Sequence, residues 1–360
     1  MKRALKAMRI QEVDFVKGMA IMAVVLLHIS YTYEDAVARP LLGGMWHVPV
    51  FFLVGGFFCY ADGERGDWKG CGEFVKHKVR TLYVPATICY VLAMMGHNMF
   101  VHIGWYPLGQ PSPSTGEPFV LWNAKDYVLQ MGKALLGYGE PIMGAMWFVY
   151  VLLFAHIGLR VLRTIVGNGW MLWVLLLGMQ VVSWYLSNVK NLTIPRVNNT
   201  ATAMFMLQLG GWVFQHREWG RKWWTVLPAA VVYVASAVWC GNVVLNKNWY
   251  HDPIMLNLTA MAVLVLLYHL YHLLRQTFVA RTIAYVGCHS YAIMAGQVLG
   301  FYLCTSLLWL HYRHIPMGNY TAVIDERHWF VGVAYFVMGV AVPLLIARII
   351  NGVENKLGSK

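Results

Sequence analysis

The stretch VDFVKGMAIMAVVLLHIS, Val13–Ser30, decides how this chain is read. None of the ten residues between Lys17 and His28 carries a polar side chain, so the run is long and apolar enough to cross a bilayer. An ionisable side chain inside such a run is costly, and each one is a functional candidate by default. Lys17 and His28 are eleven residues apart, about 1100° of helix at roughly 100° per residue, which is roughly 20° from three full turns. They therefore share a face, about 16 Å apart along the axis. A cation stands near one membrane boundary and an imidazole in the opposite half. A neutral imidazole accepts a proton near neutral pH, the usual requirement for general-base work. Two plainer readings stay open: Lys17 snorkelling to the headgroups, and His28 bonding a neighbouring helix.

The rest of the chain agrees with a membrane reading. Its 360 residues are 59% hydrophobic and only 12% charged, with mean hydropathy +0.52. An ordinary soluble domain is about a quarter charged, so soluble and disordered classes are excluded. Ten stretches are expected to cross: 14–33, 46–60, 82–101, 144–162, 170–186, 200–216, 225–244, 254–273, 285–305 and 328–350. The expected fold is all-α and polytopic, a single integral-membrane domain over 1–360 with no appended soluble domain. The second stretch is short, and Pro49, Gly55 and Gly56 predict a tilted or irregular helix. Residues 104–126, with four prolines, read as an outward loop. Residues 119–143 suit either an interfacial helix or a re-entrant stretch.

Orientation follows from the positive-inside rule. With the N-terminus inside, nineteen of the 28 Lys and Arg fall on cytoplasmic segments and eight outside, so both termini are expected in the cytoplasm. The formal net charge of +12 is then mostly topology, which points to a lipid bilayer and away from nucleic acid. The basic Met1–Arg9 runs into a full-length span with no small-residue cleavage site, so the first helix is expected to be its own signal anchor.

Other candidates are fewer. His47, in Trp46-His47-Val48-Pro49, is expected at the level of His28 if the two helices pack side by side. It reads either as an interfacial histidine beside a belt tryptophan or as a group that orients His28 or binds an acceptor. Lys76-His77-Lys78-Val79-Arg80 is a dense cationic run before the third span, suited to phosphates or, more plainly, to anionic lipid. Asp14, three residues before Lys17, is placed to pair with it. No Asp or Glu falls in mid-span, which lowers the weight of a proton-coupled transporter or cation channel. The six cysteines show no metal-ligand spacing, so no metal is expected and buried thiols are the default. His97, His156, His269, His272 and His289 read as structural. Gly296 and Gly300 form a GxxxG suited to close helix packing. Four Asn-x-Thr triplets, at Asn191, Asn198, Asn257 and Asn319, read as chance.

Five segments together resemble the membrane acyltransferase 3 family: VDFVKGMAIMAVVLLHIS (13–30), MWHVPVFFLVGGFF (45–58), KHKVRTLYVP (76–85), MWFVYVLL (146–153) and GCHSYAIMAGQ (287–297). The resemblance covers nearly the whole chain. It implies that His28 is the catalytic histidine, that Lys17 is its basic partner, and that the basic pair before the third span falls on His77 and Arg80. Joined to the reading of the residues, this gives a mechanism in which Lys17 with Asp14, and Lys76, His77, Lys78 and Arg80, serve an acyl-CoA donor, taken as acetyl-CoA, with His47 beside His28 and a glycan or other hydroxyl-bearing acceptor outside a bacterial inner membrane. The chain departs from the family pattern at His77, where an arginine is expected, at Gly55, where a serine is common, and at Gln297, where a histidine is common. The competing reading is export of a glycan or lipid without acyl transfer, for which replacing His28 would leave function intact.

Overall fold

Lipid offers no partner for a bare peptide group, so a chain this apolar satisfies its backbone within helices. In a computed structural model, the described residues are 11–29, 42, 44–60, 68–112, 116–194, 196–241, 243–311 and 329–357, with side chains described for all but 58–60, 311, 329 and 353–357. Lys2, Arg3, Lys6, Arg9, Arg39, Arg65, Arg313, Arg327 and Lys360, on which the expected orientation partly rests, lie outside them, as does Asn319. The main helices are α1 (Gln11–Ile29), α2 (His47–Tyr60), α3 (Trp68–Lys78), α4 (Val84–Met95), α5 (His97–His102), α6 (Ala124–Ala134), α7 (Trp147–Val166), α8 (Trp170–Asn188), α9 (Val197–Gln215), α10 (Val226–Trp239), α11 (Pro253–Leu274), α12 (Phe278–Cys288), α13 (Ser290–His311) and α14 (Trp329–Leu357). Among the described residues there is no strand, only isolated bridges in two loops.

Among the described residues, five segments are long and apolar enough to span a membrane: Pro141–Val166, Trp170–Asn188, Pro253–Leu274, Ser290–Leu310 and Phe330–Gly352. They coincide with five of the ten expected stretches. Each remaining stretch holds a helix too, but α2 and α10 have only 14 residues each, and the stretch 82–101 is divided at Gly96 between α4 and α5. The pattern on α8 is that of a helix turned outward. Leu172, Leu176, Gln180, Ser183 and Ser187 are buried, while Val174, Val182 and Tyr185 are exposed. Polar side chains face protein and apolar ones face out, which suits lipid and would be a liability in water.

The described residues fall into two compact units, one drawn from Met1–Val24, Asp35–Val75 and Phe154–Ser290, the other from Val25–Glu34, Lys76–Leu153 and Tyr291–Lys360. Glycines set the first. A Cβ on Gly56 would strike the Leu207 carbonyl, and one on Gly210 the Leu53 carbonyl, so α2 and α9 meet backbone to backbone. The helix α2 is continuous, and Gly56 serves close approach, not the irregular geometry expected of it. Gly18 and Gly287 join α1 to α12 in the same way, against Ile283 and Asp14. Without a hydrophobic force between helices in lipid, such contact is a principal source of association. The 241–252 loop is tied down by polar groups. Asn248 donates to Ser183 Oγ at 2.9 Å and accepts from Thr202 at 2.9 Å, while Ser183 donates to the Asn198 carbonyl at 2.6 Å. Asn198 and Asn257 are buried, so those two Asn-x-Thr triplets are structural.

In the second unit Gly300 packs on Met338 and Gly296 on Pro343, the close packing of α13 on α14 expected from the GxxxG. Residues 119–143 contain α6, with Val128 and Leu129 exposed, then a 3-10 turn, Pro141–Met146, that leads into α7. Asn123 and Asp126 start α6 with a reciprocal capping box.

Gly287→Val and Gly210→Val are each expected to lose at least ~1–3 kcal/mol of stability, because the added atoms meet rigid backbone. Gly178→Ala on α8, where a Cβ meets nothing within 4 Å, is expected to be neutral or slightly stabilising. Thermal unfolding in detergent would separate the two outcomes.

Candidate active site

The helix α1 carries Glu12 and Asp14 in its first turn and His28 in its last, the charge order that the helix dipole favours. It runs uninterrupted from Gln11 to Ile29, so the shared face of Lys17 and His28 holds. Near its start, Phe15 packs with Tyr271, Ala280 and Ala284 in a buried cluster.

The Gly18–Gly287 contact brings Cys288, at the end of α12, onto Asp14. Asp14 Oδ1 takes the Lys17 ammonium at 2.6 Å, and Oδ2 accepts from Cys288 Sγ at 3.1 Å. Asp14 itself is buried, 8% exposed. Both carboxylate oxygens are thus engaged, as a buried charge requires. Lys17 is held as part of a neutral pair, which makes it an oriented donor with two further N–H groups, not a bare point charge. Cys288 had been read only as a buried thiol. It is half-buried, as are Cys89 and Cys240, whereas Cys71 and Cys304 are buried. The side chain of Cys59 lies outside the described residues.

The cationic run has its own local cause. Lys76, His77 and Lys78 form the last turn of α3. Pro85 cannot donate to the carbonyl four residues back and would crowd it. The chain widens into a π-helical turn, Val79–Tyr83, in which the Val84 N–H reaches the Val79 carbonyl. Arg80 sits in that turn, a geometry common at functional sites. Lys76, His77 and Arg80 are exposed, and Lys78 is half-buried. Phe74, one turn earlier, meets the His156 ring at 6.3 Å and the Arg160 guanidinium at 5.8 Å.

His28 is half-buried, as is His47, the first residue of α2. In the second unit a Cβ on Gly339 of α14 would meet both Val25 and the Phe301 ring. Gln297 precedes Phe301 by four residues, on the same face of α13. Gln297 is fully buried, and neither its amide oxygen nor its nitrogen has a hydrogen-bond partner. An unmet buried amide costs about 1–3 kcal/mol, a cost that needs an explanation. Sequence reading marked Gln297 only as a departure from a pattern.

Two further features went unread. In the first unit, a nearly all-apolar cavity of about 230 Å³ opens beside the first turns of α1, lined among others by Val13, Val16, Phe57, Trp212 and Tyr268. Arg217 and His216 also line it, and Arg221 reaches Glu12 at 4.0 Å and Glu218 at 2.9 Å. Its walls suit an alkyl chain. Spacing predicted no metal ligands, yet folding gathers Cys240, His251 and Asp252 with their potential ligand atoms within 4.8 Å of one another.

Apolar helices with inward polar faces and a bonded ion pair define an integral membrane protein. A family model described as an acyltransferase domain matches residues 10–348, and the chain belongs to the acyltransferase 3 family. It is therefore a membrane acyltransferase. Comparisons with curated proteins and with solved structures gave no match.

Gln297→Met removes the unmet amide at nearly constant volume. The variant is expected to be at least as heat-stable as the parent and to lose tenfold or more in acyl transfer. Unchanged turnover would show that the amide is merely tolerated.

Proposed function

We propose that the protein moves an acyl group, acetyl, from cytoplasmic acyl-CoA to a hydroxyl of an extracytoplasmic glycan, with His28 as general base. The proposal includes ten spans, both termini in the cytoplasm, and a bacterial inner membrane. The observation that carries it is the continuity of α1 between Lys17, fixed by Asp14, and His28 on the same face. Their separation of about 16 Å is comparable to the reach of a pantetheine arm.

The charged nucleotide end is held at the cytoplasmic side by Lys76, Lys78 and Arg80, with His77 beside them and Lys17 donating deeper in. Arg80 supplies a planar fork and the lysines supply point charges. The thioester then lies along α1 toward His28. His28 takes the proton of the acceptor hydroxyl, and the hydroxyl oxygen bonds to the thioester carbonyl carbon. The C–S bond breaks as the tetrahedral intermediate collapses, and the imidazolium returns the proton to the departing thiolate. His47 orients His28 or the acceptor.

The family match favours this chemistry over export. With detergent-purified full-length protein, acetyl-CoA and a thiol-reactive dye, His28→Ala is expected to keep acetyl-CoA binding and lose thiol release by about 10²–10⁴-fold. Lys17→Ala is expected to weaken binding itself. Absence of acetyl-CoA binding by folded parent protein would overturn the donor assignment, and undiminished thiol release by His28→Ala would overturn the base.

A further inference from the structure

His97 looked structural in the sequence, and the reading above gives it no task. In the fold it belongs to a buried pair on the wall of a second cavity, of about 170 Å³, within the second unit. The loop before α6 folds back on itself, with the Phe119 N–H on the Gln110 carbonyl at 2.9 Å and the Ser112 N–H on the Glu117 carbonyl at 2.8 Å. Asn98 then grips the Trp122 backbone twice, donating to its carbonyl at 2.9 Å and accepting from its N–H at 2.8 Å. That grip lays the Trp122 indole flat on the His97 ring, centroids 3.6 Å apart and planes 7° apart.

His97 Nε2 lies 2.8 Å from the Val120 carbonyl, and Nδ1 lies 2.8 Å from Glu140 Oε1. A carbonyl only accepts, so Nε2 carries a hydrogen. The Nδ1–Oε1 contact then holds a proton as well, because two facing lone pairs would repel. The pair is neutral as a whole, and His97 and Glu140 are 3% and 2% exposed. Glu140 Oε2, buried with the rest, makes no hydrogen bond of good geometry, and the Tyr106 phenol is the neighbour that approaches the carboxylate. Glu140 lines the cavity, and its carboxylate oxygens offer about four acceptor sites, so capacity remains there for a ligand hydroxyl. Burial and the nearby Glu140 carboxylate also hold the Tyr106 phenol well above its ordinary pKa, so it remains an O–H.

The remaining lining limits what fits. Ser112, Glu117, Asp126 and Gln130 contribute polar groups, while Pro118, Phe119 and Pro141 contribute apolar walls. Among the described residues no Lys or Arg lines the cavity, so phosphates and carboxylates find no counter-charge there. The Glu117 and Asp126 carboxylates repel an anion further, whereas a hydroxyl adds no charge and can donate to them. The volume is below the ~300–1,000 Å³ of sites that take drug-sized ligands, so the occupant is a single small ring or a chain end.

We infer that this cavity binds one neutral, hydroxyl-bearing sugar ring, with Glu140 Oε2 accepting a hydroxyl proton and His97 acting as a positioning residue for Glu140. The inference rests on the reading that the acceptor is a glycan, and it makes this loop the acceptor's docking point. Its test omits the acyl donor, so that it fails or succeeds apart from the acetyl-CoA experiment. Full-length protein in nanodiscs would be probed by saturation-transfer NMR and titration calorimetry with methyl α-glucopyranoside, N-acetylglucosamine, glucosamine and glucuronate. The expected result is binding of the two neutral sugars, with glucuronate at least tenfold weaker and glucosamine no tighter than they are. Glu140→Gln should weaken neutral-sugar binding tenfold or more. Gln130→Ala, which leaves the buried pair untouched, should weaken it several-fold and guards against a folding artefact in the first variant. No neutral-sugar binding by folded parent protein, equal binding of glucuronate, preferred binding of glucosamine, or parent-like binding by both variants would overturn the inference.

Discussion

The contact of two backbones at Gly18 and Gly287 sets the geometry on which the candidate chemistry depends. With no side chain on either residue, α1 and α12 approach until a Cβ at one would strike Ile283 and a Cβ at the other would strike Asp14. Only at that separation does Cys288 reach the second oxygen of Asp14. A buried carboxylate with both oxygens engaged is fixed in place, and it in turn fixes Lys17. The cation of the Lys17–His28 line is therefore placed by packing, and the imidazole by the length of the helix.

The same device recurs where α2 meets α9 through Gly56 and Gly210, and where α13 meets α14 through Gly296 and Gly300. In lipid, apolar side chains gain little by leaving one apolar surface for another, so close backbone approach carries association. The consequence is a set of polar groups that cannot move away from unmet positions. Asn248 and Ser183 are satisfied by neighbours within the first unit. Gln297 and Glu140 are among several buried residues with polar atoms left without a partner of good geometry. The cost of an unmet group is what brings these two into the functional argument.

The helical class, five of the spans and the family were legible in the sequence, because each is written in short-range patterns. The apolar stretch that holds Lys17 and His28 is long enough to be read as a membrane helix, and helical geometry then puts the two on one face. The packing use of Gly296 and Gly300 was equally open, since small residues four apart make a flat strip on any helix. The irregularity expected around Gly55 and Gly56 was not found, because a glycine costs a helix little when a neighbouring backbone fills the space it leaves.

What the sequence by itself determined is thus the kind of protein and the line of α1, both properties of neighbours in the chain. What only the tertiary structure decided is every partnership between residues far apart in number. Asp14 and Cys288, His97 and Glu140, and the trio of Cys240, His251 and Asp252 are brought together by helix crossings and by a loop folded back through Asn98 and Trp122. Such pairings depend on where whole helices cross, which the summed packing of many side chains sets, and no local spacing encodes it. His97 shows the limit most clearly: beside its sequence neighbours it is one histidine at a helix end, and only the fold gives it a carboxylate, a carbonyl and an indole at once.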